Sequence, residues 1–147
     1  MATQKTEPLL SLRGLRHLAL RVTDMARARK FYQGLLGMTV AWEPDAENVY
    51  LTSGCDNLAL HLLPEEERGG FDPGKGQAMD HFGFIVESPG VVQAFARRME
   101  NAGVRIVKPF KRHRDGSSSF YMADPDGNVI QILYEPQISP LAIRGTE

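Results

Sequence analysis

Two short stretches, LRHLALRV at residues 15–22 and MDHFGFIV at residues 79–86, decide how this sequence folds. Aligning them places His17 over His81. The alignment continues as VTDMARARKF, from Val22, meets VESPGVVQAF, from Val86. A repeat of this size indicates one supersecondary unit used twice, because a single copy is too small to bury its own apolar face.

Each copy of the repeat predicts a strand, a helix and then three strands. Asp24 is a plausible N-cap for the first helix, which Gly37 ends, and Ser88 followed by Pro89 begins the second, which ends at Gly103. The later strands are expected at residues 39–43, 49–53 and 57–63 in the first copy and at 104–108, 118–123 and 128–135 in the second. The pattern therefore predicts an α+β fold made of two βαβββ modules.

The sequence between and around the two copies sets the expected domain organisation. An N-terminal arm (1–12) precedes the first module (13–63), and a tail (136–147) follows the second (79–135). Residues 64–78, PEEERGGFDPGKGQA, combine Gly, Pro and charge without periodicity and predict a linker loop. The two modules together are expected to form a single functional domain.

Composition excludes several classes of function. The net charge of −1 favours neither nucleic acid nor an anionic membrane. No apolar stretch approaches the roughly 20 residues that a spanning helix needs, and the N-terminus lacks a signal-peptide core. The one cysteine, Cys55, cannot form an internal disulfide. We therefore expect a cytoplasmic protein that binds neither nucleic acid nor membrane.

Three histidines and one glutamine lie on the less apolar faces of the predicted strands. Because side chains alternate along a strand, His17, His61, His81 and Gln131 all oppose the face that packs against the helices. Nitrogen-rich ligand sets suit a divalent transition metal. We expect Zn, Ni, Co, Fe or Mn here. A purely structural role for the histidines, and a hydrogen-bonding role for Gln131, remain open.

Three motifs carry a family resemblance. They are RHLALRVTDMARARKFYQGLLGM (residues 16–38), DHFGFIV (80–86) and FYMADPDGNVIQILYE (120–135). They resemble the vicinal oxygen chelate superfamily, which includes glyoxalases, bleomycin resistance proteins and extradiol dioxygenases. The resemblance covers about residues 15–135. It implies paired modules that form a cupped mixed sheet around a central metal, with ligands from the first and last strands of each module. Carried over, those ligands are His17, His61, His81 and Gln131.

Gln131 departs from the pattern of this superfamily, whose metal-using members usually have Glu at that position. Non-haem iron oxygenases need two histidines and a carboxylate, so the amide argues against ring-cleaving chemistry. An amide also cannot serve as a proton-transfer base. The remaining catalytic candidates are weak: Gln131 itself, Glu135, which lies roughly 13 Å along the strand, and Arg21, which shares the face of His17.

Two further residues are candidates for substrate binding. Arg112 belongs to the basic run KPFKRHRDG at residues 108–116, which we interpret either as a solvated loop or as a lid that contacts a substrate anion. Tyr121 lies in the strand that leads into the DPDG turn. Its side chain could donate a hydrogen bond in the pocket or pack in the core.

These features lead to three functional hypotheses. The first is a glyoxalase-like, metal-dependent lyase, isomerase or transferase that chelates vicinal oxygens of a small-molecule substrate. The second is a metal-free drug- or metabolite-binding protein of the bleomycin-resistance type, and the third is an extradiol dioxygenase with an altered ligand set. We also expect a homodimer, with modules that could be swapped between subunits.

Overall fold

The computed structural model describes residues 12, 14–75 and 78–141, and these form two four-stranded sheets with helices. The N-terminal arm expected at 1–12 lies outside the described residues except for residue 12, as does the tail beyond residue 141. No helix in the described part of the chain is long and apolar enough to cross a membrane.

The two sheets repeat one topology. The first contains β1 (His17–Val22), β2 (Thr39–Asp45), β3 (Asn48–Thr52) and β4 (Asn57–Leu62), in the spatial order β1-β4-β3-β2. The second contains β5 (Phe82–Ile85), β6 (Ile106–Arg112), β7 (Ser118–Ala123) and β8 (Val129–Tyr134), in the order β5-β8-β7-β6. In each sheet the first strand is parallel to the fourth, and the other pairs are antiparallel. The predicted α+β fold of two βαβββ modules is confirmed.

Both helices begin at the predicted caps. Asp24 accepts a hydrogen bond from the backbone N–H of Arg27 (2.9 Å) at the start of α1 (Met25–Arg29). Ser88 accepts one from Val91 (3.2 Å) before α3 (Pro89–Asn101), whose first residue is Pro89. These side-chain oxygens satisfy donors that have no partner within the helix.

The first helix widens after its first turns. Residues Lys30–Leu35 form a π-helical continuation of α1, in which each turn holds more residues than an α-helical turn. The side chains of neighbouring residues therefore point in more similar directions, and Phe31 and Tyr32 are both buried. The sequence pattern alone left open which of these two aromatic residues faces the core.

One hydrophobic core serves both modules. It combines the helix-facing side of the first sheet, the corresponding side of the second and residues of α1 and α3; its buried members include Leu20, Val22, Phe31, Leu51, Leu60, Val92, Met99, Phe120, Ile130 and Ile132. The opposite side of each sheet, called the outer face below, carries His17, Ala19 and Arg21 on β1 and Gln131 and Leu133 on β8. Burial differs accordingly, because Leu20 and Val22 are buried whereas His17, Ala19 and Arg21 are exposed.

The basic run at residues 108–116 is not the loop that the sequence predicted. Lys108 to Arg112 lie within β6, an edge strand, and only the residues after Arg112 form the turn into β7. An edge strand tolerates Pro109 and charged residues, because one of its sides needs no partner. In the turn, the Ser117 hydroxyl and then its backbone N–H bond to Asp115 (2.7 and 2.9 Å), which lowers the pKa of that carboxyl.

The linker contains a short helix that the sequence pattern did not predict. Residues Glu65–Arg68 form α2 directly after Pro64. Three glutamates begin this helix, where the helix dipole favours negative charge, and Arg68 donates from Nε to the carbonyl of Leu63 (2.8 Å).

Candidate metal site

His17 and His81, from the two modules, line one cleft. The cleft has a volume of about 280 Å³, and its walls come from the starts of β1, β4 and β5: Leu15, Arg16, His17, Leu18, Asp56, Asn57, Leu58, His81, Phe82, Gly83 and Phe84. The fold thus brings together the two histidines at equivalent positions of the repeat. The sequence pointed to this pair, because one histidine opens the first apolar run of each module.

Both imidazoles are held through Nδ1. The Nδ1 atom of His17 is 2.7 Å from Oδ1 of Asn57, and that of His81 is 2.5 Å from Oδ1 of Asp80. A carboxylate only accepts hydrogen bonds, so the proton of neutral His81 resides on Nδ1 and Nε2 keeps its lone pair. An oxygen partner on Nδ1 is also how metal-ligating histidines are usually oriented.

Gln131 lies on the neighbouring strand of the second module. In the sheet register it is opposite Gly83 on one side and Tyr121 on the other. The ring of His81 contacts the ring of Tyr121 edge-on, with centroids 5.0 Å apart, although β8 lies between their strands. His81, Tyr121 and Gln131 therefore form one cluster on the outer face of the second sheet.

Gly83 makes this close packing possible. A Cβ atom at position 83 would lie 2.8 Å from the backbone oxygen of Gln131, closer than van der Waals contact allows. A side chain at this position would push β8, and Gln131 with it, away from β5.

His61 is separated from this group. The register places it opposite Arg21, four residues along from His17, which is about 13 Å at the rise of a strand. The pairing also shows which residue of the first module corresponds to Gln131, because Ala59 is opposite Ala19 just as Gln131 is opposite Gly83. One ion therefore cannot bind both His17 and His61 of a single sheet.

The other candidates lie at scattered positions. Arg21 is exposed on β1, and Glu135 accepts a hydrogen bond from the backbone N–H of Gln137 (2.9 Å) in the turn after β8. Arg112 is opposite Ser118, whereas Tyr121 is opposite Lys108, four residues away from Arg112 along β6. Arg112 and Tyr121 thus do not meet at one place in this sheet.

Several residues that organise the histidines were not singled out from the sequence. Asn57 and Asp80 hold His17 and His81, Asn48 holds His61, and Lys108 places its Nζ 5.0 Å from the centroid of the Tyr121 ring. Of these residues, only Asp80 could have been recognised in the sequence, because it directly precedes His81. The others become neighbours through strand pairing.

The donor types of His17, His81 and Gln131 fit a divalent transition metal. Two imidazole Nε2 atoms and one amide oxygen, from His17, His81 and Gln131, are ligands of the type that such ions accept. Among residues 12, 14–75 and 78–141, no three side chains of His, Cys, Asp or Glu are grouped closely enough to hold an ion. A site here therefore depends on the amide of Gln131 or on further donors.

Comparison with known proteins identifies the family. The profile of the Glyoxalase/Bleomycin resistance protein/Dioxygenase superfamily matches residues 14–132. The chain belongs to this superfamily. The "Glutathione transferase FosA" of Serratia marcescens is 32% identical over 82% of this chain and 80% of its own length. The "Metallothiol transferase FosB" of Bacillus licheniformis is 24% identical over 81% of this chain and 73% of its own.

A solved structure supports the same fold. The lactoylglutathione lyase of Agrobacterium tumefaciens superposes with a TM-score of 0.65 at 22% identity, covering 82% of this chain and 92% of its own. This superfamily member therefore shares the two-module architecture with an enzyme whose sequence has diverged widely. The superfamily includes enzymes that act on small molecules, and the chemistry of this member has to be inferred from its own site.

Proposed function

We propose that this superfamily member is a divalent-metal-dependent transferase that adds a thiol to a small oxygenated molecule. The observation that carries the proposal is the pairing of His17 and His81 at one cleft, each with Nδ1 bonded to a side-chain oxygen. That arrangement keeps Nε2 of each imidazole out of these hydrogen bonds, so that both atoms can act as ligands at the cleft.

The metal would be held by Nε2 of His17, Nε2 of His81 and the amide oxygen of Gln131. When bound, such an ion acts as a Lewis acid toward neighbouring oxygens of a substrate. The contribution of the protein is to fix the two imidazoles before the ion arrives. Asn57 and Asp80 do this by restricting the ring orientations.

The neutral amide at position 131 favours transfer over isomerisation. Abstraction of a proton from a substrate carbon needs a base beside the metal, and Gln131 cannot titrate. Glu135 already accepts a hydrogen bond in the turn beyond β8. When a thiolate attacks an epoxide carbon, the C–S bond forms as the C–O bond breaks, and the alkoxide takes a proton from water, so no protein base is required at this position. The two transferase relatives support this choice.

Tyr121 and Lys108 are suited to position the substrate. The phenol ring contacts His81, and the ammonium group of Lys108 lies 5.0 Å from the centroid of the same ring. A cation beside the proposed metal site would attract a negatively charged oxygen of the substrate. We assign this role to Lys108 rather than to Arg112, which lies four residues further along β6.

We further propose that the protein is a homodimer. The surface exposes large apolar side chains away from Trp42, with Leu141 at 65%, Ile138 at 51% and Ile85 at 47%. A second copy placed against these side chains would cover them. Light scattering at micromolar concentration should give twice the monomer mass, and a monomer would contradict the proposal.

Metal analysis of variants tests the proposed site. Protein purified without a nickel column and loaded with one ion should lose that ion in His17→Ala and in His81→Ala. His61→Ala is the matched control, because it removes a histidine of the same outer face about 13 Å away and should keep its metal. Retention of metal in both the His17 and His81 variants would exclude the site.

Activity separates the competing functions. Ion-dependent loss of the glutathione thiol in the presence of epoxides would support a transferase, whereas ion-dependent formation of a thioester from glutathione and an α-oxo aldehyde would support an isomerase. Oxygen uptake with catechols would instead support a dioxygenase, despite the missing carboxylate. A metal-free binding protein is the second candidate, because Trp42 and Tyr50 stack on the outer face (5.1 Å); it would retain no ion and would show no turnover with any added ion.

A further inference from the structure

Three aromatic side chains form a row across β2, β3 and β4. The rings of Trp42 and Tyr50 are stacked with a 30° tilt and centroids 5.1 Å apart. The ring of His61 contacts Tyr50 edge-on, at 5.8 Å and 82°. We call Trp42, Tyr50 and His61 the aromatic face. Trp42 is 59% exposed, so the face is open to a ligand.

A chain of hydrogen bonds fixes the proton of His61. Oδ1 of Asp45 accepts from Nδ2 of Asn48 (2.9 Å), which leaves Oδ1 of Asn48 directed at Nδ1 of His61 (2.6 Å). Because that amide oxygen can only accept, Nδ1 of the imidazole carries the hydrogen. Nε2 of His61 is then an acceptor that none of these bonds uses.

We propose that the aromatic face is a binding site for a planar aromatic molecule that carries a hydroxyl group. The stacked rings of Trp42 and Tyr50 offer an apolar surface on which a planar ring gains both burial and favourable ring geometry. Nε2 of His61 accepts the hydroxyl proton. A hydroxyl also accepts hydrogen bonds, which suits a position opposite Arg21 in the register.

This assignment gives His61 a role that metal binding does not. The imidazole is about 13 Å from His17 along the sheet, and Asn48 holds its Nδ1. The aromatic face and the proposed metal site are therefore separate sites. A single substrate with chelating oxygens at one end and an aromatic ring at the other would occupy both sites; this extension rests on the proposed function.

Fluorescence provides a direct measurement, because Trp42 is the only tryptophan in the sequence. Full-length protein is titrated with 2-naphthol and separately with naphthalene, in the presence of chelator so that metal binding plays no part. We expect 2-naphthol to quench Trp42 and to bind about fivefold more tightly than naphthalene, the effect of one neutral hydrogen bond. Failure of the metal site would leave this result unchanged.

Variants identify the acceptor. His61→Ala should remove the preference for 2-naphthol while naphthalene still binds, and His113→Ala, which changes a histidine on another hairpin, should keep the preference. Tyr50→Leu should weaken both ligands, as measured by calorimetry, with circular dichroism confirming the fold. Equal affinity for the two ligands, or a preference unaffected by His61→Ala, would overturn the proposal.

A second copy of the chain is the competing occupant of this face. In that case the Trp42 emission would change with protein concentration alone, and 2-naphthol would lose its effect once the dimer formed. That outcome would also overturn the proposal. Quenching that persists at concentrations where light scattering shows a dimer would support it.

Discussion

The hydroxyl of Tyr32 donates a hydrogen bond to Oδ2 of Asp124 across 92 residues of sequence, at 2.6 Å. Both residues are buried, and they join the helix of the first module to the DPDG turn of the second. Asp124 also accepts from the backbone N–H groups of Asp126 (3.0 Å) and Asn128 (2.8 Å). The same turn binds the first module again through Asp126, which accepts from Thr23 and Arg27. The two modules are therefore linked by the turn that precedes the strand bearing Gln131.

Removing the tyrosine hydroxyl should destabilise the protein. Tyr32→Phe leaves the buried carboxylate of Asp124 without one of its donors, and a hydrogen bond to a charged group contributes about 1.5–3 kcal/mol. We expect the free energy of unfolding to fall by about 2 kcal/mol in urea titrations. Tyr50→Phe, on the aromatic face, where the tyrosine is only half-buried, is the matched control and should change it little. Equal effects in the two variants would contradict this role for Tyr32.

The same tyrosine predicts a loss of stability at alkaline pH. Burial, and then the negative charge of Asp124, raise the pKa of Tyr32 well above its ordinary value. Above pH of about 10 the unfolded chain releases the phenol proton while the folded chain keeps it. The free energy of unfolding therefore falls as the pH rises from this value toward the folded pKa. Thermal melts between pH 8 and pH 11 should show this decline in the native protein and a smaller one in Tyr32→Phe.

Restoring a carboxylate at position 131 should strengthen metal binding. Gln131→Glu adds Coulomb attraction to the cation, so we expect affinity to increase by about 1 kcal/mol or more. Competitive chelation at fixed pH measures the change, since protons compete for the histidines. Gln137→Glu adds the same charge outside the cluster and is the control. An unchanged affinity in the position 131 variant would show that this side chain does not reach the ion.

A methyl group at position 83 should disturb the second sheet. In Gly83→Ala the added Cβ would meet the carbonyl oxygen of Gln131 at 2.8 Å, and overpacking of this kind costs about 1–3 kcal/mol. Metal affinity should fall as well, because β8 has to shift. Gly90→Ala is the control, since its Cβ would lie 3.8 Å from Oγ of Ser88. Denaturant titration should show a loss only in the position 83 variant.

The helix starts and the repeat can be read from the sequence alone. Asp24, Ser88 and Pro89 specify the helix starts because capping involves neighbouring residues only. Alternation within LRHLALRV and MDHFGFIV assigned His17 and His81 to the outer faces, because strand geometry has a period of two. Matching composition at matching spacing showed that one unit occurs twice.

Strand pairing sets which of the polar residues meet. His17 and His61 share a face by alternation, yet the parallel register of β1 and β4 places them four residues apart. Periodicity assigns a side chain to a face but contains no information on register between strands, which pairing and turns set. The same reason explains why the contact of His81 with Tyr121, and the assembly of Trp42, Tyr50 and His61, become visible only when the strands are paired.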